Sequence, residues 1–169
     1  MEKWKIPLLI VLILAVVSLF IIVVRISGDK QIDAVNPYMY CMEKDLRKVD
    51  VFYVVPKYKG VPINDSRTWC DYILSFDKEI YMYGIEGTFE EFSWNISEDE
   101  INEAMGIFQS CFGYPPEKIK PPQLVVNEKN KEMFKDMGLN IDVFYNQLLH
   151  KVYHCGDFGL LPNKFQDYF

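Results

Sequence analysis

Histidine is scarce in this chain: His150 and His154 are the only two among 169 residues. The chain has no His-Glu-x-x-His pair, no Cys-x-x-Cys pair, no glycine-rich phosphate loop and no Gly-x-Ser-x-Gly elbow. The common local signatures of zinc proteases, nucleotide-binding folds and serine hydrolases are therefore absent. Basic residues are also few, with 18 Lys and Arg against 24 Asp and Glu and no Lys/Arg cluster, which argues against a nucleic-acid partner. No repeat or low-complexity tract interrupts the chain. Aromatic residues are abundant by contrast, with 11 Tyr, 12 Phe and 3 Trp, enough apolar surface to offset the entropy of ordering one domain.

Charge is missing altogether from Ile6 to Val24, a run of 19 residues. At 1.5 Å per residue the run spans roughly 28 Å, close to a bilayer core of about 30 Å. Lys3 and Lys5 in front of it also fit a cleaved signal peptide, but the apolar stretch is long for one and no small-residue cleavage pattern follows. The expectation is a single-pass N-terminal membrane anchor over residues 1–27. Lys3 and Lys5 nearly balance Arg25 and Lys30, so charge alone does not orient it. Cys41, Cys70, Cys111 and Cys155 allow two disulfides in three pairings, and Asn64-Asp65-Ser66 and Asn95-Ile96-Ser97 are glycosylation sequons. Both features favour a body outside the cytoplasm; buried free thiols in a cytoplasmic domain are the alternative.

Beyond the anchor, residues 28–48 read as a juxtamembrane segment with a helix from Pro37 to Lys48. Val49–Val55, stopped by Pro56, reads as a buried strand and Lys57–Asp65 as a loop. A helix capped by Asp65 or Ser66 then runs through Phe76, and a strand covers Glu79–Tyr83. Ser97 and Glu100 form a capping box opening a helix that ends at Gly113. Lys118–Lys120 is extended, Asn127 caps a helix closed by Gly138, and Asn140–Phe144 and Lys151–His154 read as strands. This alternation predicts an α/β domain with a mostly parallel sheet. Ligands of such sheets sit beyond the carboxyl ends of the strands.

Two clusters could carry chemistry. The loop from Gly84 to Trp94 holds Glu86, Glu90 and Glu91, which could bind a cation or do acid/base work, or could form a solvated acidic loop before a helix N-terminus. His150 and His154 would share a face on a helix and could hold zinc with Cys155 or Asp157. Val152 and Tyr153 favour a strand, where the two imidazoles stand about 13 Å apart, too far for one metal.

The order Glu79-Ile80-Tyr81-Met82-Tyr83-Gly84, Glu91-Phe92-Ser93, Lys118-Ile119-Lys120-Pro121-Pro122, Asn127 and Met137-Gly138-Leu139 resembles the polysaccharide deacetylase family, the NodB homology domain. Val51–Pro56 resembles the strand ending in Val-Pro of its prokaryotic branch with a His-Gly-x-x-His motif, and the resemblance covers about Val49 to Asp157. It implies a distorted (β/α) barrel that removes acetyl groups from glycans, with one Asp and two His holding a divalent metal such as zinc and a second Asp as base. The two metal histidines fall on Tyr83 and Gly87, and Lys120 stands where Arg is usual. The paired aspartates have only Asp29 and Asp33 as candidates, and His154 and Asp157 could match a late strand-end His.

The expected fold is thus a membrane helix followed by an incomplete or distorted barrel, with residues 49–169 as the deacetylase-like domain. The expected function is binding of a cell-surface glycan or a protein by a degenerate site without a metal, through Tyr83, Glu86, Glu91, Trp94, Lys120 and His154. The bilayer is the partner of the helix. An active hydrolase with a site rebuilt from Glu86, Glu91, His154 and Asp157 is the alternative, and a disulfide-stabilised interaction module the third reading.

Overall fold

The computed structural model describes residues 5–144, 146–147 and 149–168; Lys3 lies outside them. Helix α1 (Lys5–Ser27) contains the apolar run, is long and apolar enough to cross a membrane, and buries none of that run inside the protein. Strand β1 (Gln31–Val35) follows, then α2 (Glu43–Lys48) and β2 (Val51–Val54). A hairpin of β3 (Lys57–Tyr58) and β4 (Val61–Pro62) occupies the expected loop, turning on Lys59 and Gly60, both at positive φ. Helix α3 (Arg67–Leu74), β5 (Glu79–Tyr83), α4 (Glu98–Phe112), β6 (Lys118–Lys120), α5 (Glu128–Asp136), β7 (Asn140–Ile141), β8 (Val152–His154) and α6 (Asn163–Gln166) complete the chain.

Six strands form one all-parallel sheet in the order β7-β6-β5-β2-β1-β8. The sheet curls into a barrel that does not close: among the described residues β7 and β8 are its edges. Residues 28–48 supply β1, which is hydrogen-bonded between β2 and β8, one strand in from the edge of the sheet. The helix expected from Pro37 begins only at Glu43. Asn36 turns the chain first, its Oδ1 accepting from the Tyr38 amide and its Nδ2 donating to the Ala34 carbonyl, and Cys41 is tied to Cys155. The expected strand Asn140–Phe144 stops after Ile141, because Asp142 accepts from the Phe144 amide and from the Tyr53 hydroxyl.

Period-2 alternation sorts each strand's side chains between two faces. Outward go Ile32, Phe52, Val54, Ile80, Met82, Ile119 and Tyr153, which pack with Ile73, Ile101, Ala104, Phe108, Phe112 and Phe134 of the helices into the main core. Cys70–Cys111 joins α3 to α4 within that layer. The capping box of α4 is complete: the Glu100 amide donates to Ser97 Oγ, the Ser97 amide donates to Glu100, and Gly113 closes the helix at φ 86°.

Candidate functional site

The concave face of the sheet is built by the other half of each strand. Register places Asp33 beside His154, Gln31 beside Val51, Tyr53 beside Tyr81, and Tyr83 beside Lys120. Near the carboxyl ends these side chains line a pocket of about 310 Å³, walled by Asp33, Tyr83, Lys120, Gln147 and His154 and rimmed by Leu124, Phe158 and Leu160.

Lys120 organises the floor. Its ammonium is 2% exposed, 2.8 Å from Asp33 Oδ2, 3.0 Å from Asp33 Oδ1 and 3.1 Å from Gln31 Oε1, and lies 5.0 Å from the centre of the Tyr53 ring. A buried ammonium needs such neutralisation, since desolvation costs several kcal/mol per ion. Tyr53 donates its hydroxyl to Asp142, and burial followed by that carboxylate raises its pKa far above the phenol range. Burial, then the negative charges of Asp33 and Glu91, does the same to Tyr83, whose hydroxyl meets the backbone of Gln123. Both phenols stay neutral. Ala34, next to Asp33, has φ 61°, and the β1–β2 register slips between Ile32 and Val35. An L residue in that conformation costs roughly 1–2 kcal/mol, the kind of local strain found where a strand end re-aims a side chain.

Gln147 packs against the His154 imidazole. Its Nε2 donates to the carbonyls of Val152 at 3.0 Å and Leu161 at 3.1 Å, and its Oε1 accepts from the Leu161 amide at 2.8 Å, so nitrogen and oxygen are told apart. That nitrogen lies 3.2 Å from His154 Nδ1. Both amide N–H groups are spent on those carbonyls, so the amide packs against Nδ1, and the ring's other nitrogen, Nε2, faces Asp33. Nε2 is 3.7 Å from Asp33 Oδ2, long for a hydrogen bond. Burial, more than the opposing pull of Asp33, lowers the His154 pKa, so the ring is neutral at neutral pH. Asn163 fixes the main chain of the same residue, accepting from the His154 amide and donating to its carbonyl, both at 2.8 Å.

The residues expected from sequence fall in two places. Tyr83, Lys120 and His154 share the pocket. Glu86, Glu91 and Trp94 line a separate depression with Lys57 and Phe89. Glu91 turns its carboxylate into its own loop, accepting from the amides of Ile85 at 3.0 Å and Glu86 at 2.7 Å. Burial raises its pKa, and those backbone donors oppose the shift. Trp94 is 77% exposed. Asp157 Oδ1 accepts from the Asn163 amide at 2.6 Å, so it holds the turn before α6. His150 and His154 do not converge: β8 ends at His154, whereas His150 faces a depression beside β7 with Lys118 and Phe144.

These residues do not fit a divalent metal. Among the described residues no group of three His, Cys, Asp or Glu side chains converges. Asp33, the carboxylate in the pocket, is committed to the Lys120 ammonium. Gly87 has φ 67°, and a Cβ there would stand 2.9 Å from Val55 Cγ2, so the loop is shaped for glycine and not for a ligating side chain.

Sequence reasoning missed Gln31, Tyr53, Asp142, Gln147 and Asn163, and weighed Asp33 only as a weak candidate. The alternation Gln31-Ile32-Asp33-Ala34-Val35 is a strand signal, but its inward face is polar and it follows the anchor directly. Gln147 lies on an irregular segment with no periodicity to read, and Asn163 opens α6, a helix of four residues too short to show one.

Comparison with solved structures supports the same architecture. A polysaccharide deacetylase from Bacillus cereus superposes with a TM-score of 0.52 at 15% identity, over 74% of this chain and 76% of the other. IcaB from Ammonifex degensii gives a TM-score of 0.52 at 8% identity, over 81% and 68% of the two chains. No family model matches the sequence, and no curated relative does. The chain therefore has the polysaccharide deacetylase fold, in an open six-stranded form.

Proposed function

We propose that this is a membrane-anchored, extracytoplasmic binding domain of the deacetylase fold, with a glycan as ligand and without metal-dependent hydrolysis. The observation that carries this reading is the Lys120–Asp33 pair. An ammonium here neutralises the carboxylate that a cation would otherwise need. With Lys120 and Asp33 cancelling and His154 and Tyr83 uncharged, the pocket has no net charge. It offers the His154 imidazole, the Tyr83 hydroxyl and the Gln123 side chain between the apolar Leu124, Phe158 and Leu160. Neutral hydrogen-bonding groups flanked by apolar faces suit the alternating edges and faces of a sugar ring. The rebuilt hydrolase has less support, because Glu86 and Glu91 line a different depression from His154, and Glu91 and Asp157 are engaged by backbone amides. The disulfides Cys41–Cys155 and Cys70–Cys111 agree with an oxidising compartment.

The test uses the full chain in detergent. We expect no stoichiometric zinc, cobalt or nickel, no acetate released from N-acetylated oligosaccharides, and oligosaccharide contacts that Lys120→Met abolishes. One-to-one metal binding that Glu86→Ala or His154→Ala removes, together with metal-dependent acetate release, would overturn the reading.

A further inference from the structure

The end of α1 meets the body in a second, strongly apolar groove of about 420 Å³. One wall is the helix itself, through Ile22 and Ile26; the other is the C-terminal segment, through Leu161, Phe165 and Tyr168, with Lys151 between. Arg25 is 6% exposed and turned away into the body, donating to the carbonyls of Gln147 and His150 and to Gln166 Oε1, so helix and C-terminal segment are held as one piece.

Depth follows from length. The uncharged run Ile6–Val24 accounts for the hydrocarbon core, which places Ile26 and the groove at the headgroup boundary. Ile22, Ile26, Phe165 and Tyr168 are all substantially exposed there. Aromatic rings with a polar tip favour that level, and a lysine beside them can reach a phosphate. Among the described residues Lys151 forms no ion pair. Burial and the nearby charges of Lys30 and Arg25 lower its pKa, with Asp167 opposing. Asp167 is engaged by Lys48 at 2.8 Å and by the Tyr153 hydroxyl at 3.1 Å, and Asp29 precedes Lys30 in the chain. The groove is thus apolar along its length and short of an anion at one end.

From this we infer that the groove binds one anionic phospholipid of the surrounding leaflet, an acyl chain lying between Ile22/Ile26 and Phe165/Tyr168 and the phosphate on Lys151. This rests on the reading of α1 as a membrane span.

The experiment is native mass spectrometry of the full chain released from bilayers of phosphatidylcholine and phosphatidylglycerol. We expect one retained phosphatidylglycerol, at least tenfold preferred over phosphatidylcholine. Lys151→Gln should remove the preference, and Ile22→Trp, which fills the groove, should remove retention while the melting temperature of the body stays put. A diazirine on the acyl chain should label Phe165 or Tyr168. Equal retention of both lipids, or labelling confined to residues 6–20, would overturn the inference. So would displacement of the lipid by inorganic phosphate alone, which would mark a free-anion site. Release of the chain by alkaline carbonate would instead sink the membrane reading itself.

Discussion

The two faces of the sheet are made by alternate residues of the same strands, yet they obey different rules. The outer face is held by area: Phe52, Phe108 and Phe134 are fully buried among apolar neighbours, many of them aromatic. Such a face tolerates exchange of one apolar residue for another of similar volume. The inner face is held by pairing, with Lys120, Asp33, Gln31, Tyr53, Asp142, Gln147 and His154 each satisfied by a particular partner. A paired polar face gains little net stability over an apolar one, so its retention points to binding rather than folding.

The disulfides sharpen this contrast most, because one lies in each region. Cys70–Cys111 closes a separation of 41 residues in the helical layer, and Cys41–Cys155 closes 114 residues beside His154. Loop-closure entropy gives about 4 kcal/mol for Cys70–Cys111 and about 5 kcal/mol for Cys41–Cys155. Serine replacement of either pair should lower denaturant stability by that order, but only loss of Cys41–Cys155 should also weaken the ligand. Equal effects on binding would erase the distinction.

Phe52→Ala comes next, at about 3–4 kcal/mol from lost burial and the cavity left behind. Binding by the folded fraction should be unchanged, as measured by calorimetry at a temperature well below unfolding. On the inner face, Asp33→Ala strands the Lys120 ammonium and should cost about 3 kcal/mol. Asp33→Leu with Lys120→Met should recover most of that stability while binding is lost. A double variant that still binds would show that the pair only fills space.

The smallest effect is a pH dependence. The folded His154 pKa lies below its ordinary value, so below about pH 6.5 the unfolded chain takes up a proton that the folded chain refuses. This contribution is fully present above pH 6.5 and is lost as pH falls toward the folded pKa. His150 is also lowered, chiefly by burial, and acts in the same direction. Unfolding free energies measured between pH 7 and pH 5 should fall less steeply in His154→Gln than in the parent chain. Parallel curves would place the titration elsewhere.

Legibility followed the same division. Elements whose outward face is apolar and whose ends carry cap residues were readable: Glu79–Tyr83, the Ser97-capped helix to Phe112 and the Asn127-capped helix lie where periodicity and capping put them. Strand β1 was not, because two of its five residues are polar and their partners, Lys120 and His154, are some ninety and a hundred and twenty positions away. Pairing across such separations leaves no local trace in a single sequence. For the same reason Lys120 was seen as a departure from a motif but not as the partner of Asp33, and Gln147 not as the residue packed against the His154 imidazole.

Only Gly28, Asp29 and Lys30 separate α1 from β1, and the junction is tied down: the Gly28 amide donates to the Val24 carbonyl, the Lys30 amide to Asp50, and the Gln31 amide to the Lys151 carbonyl. With α1 in a bilayer, the body begins at the membrane end, and Gln147, whose carbonyl takes the Arg25 guanidinium and whose side chain walls the pocket, holds the pocket at a fixed distance from the helix end. The body then stands on a post instead of swinging on a tether. Its pocket samples one narrow stratum parallel to the surface, so a tethered ligand must pass through that stratum to be captured, and any twist of the helix in the lipid turns the mouth by the same angle.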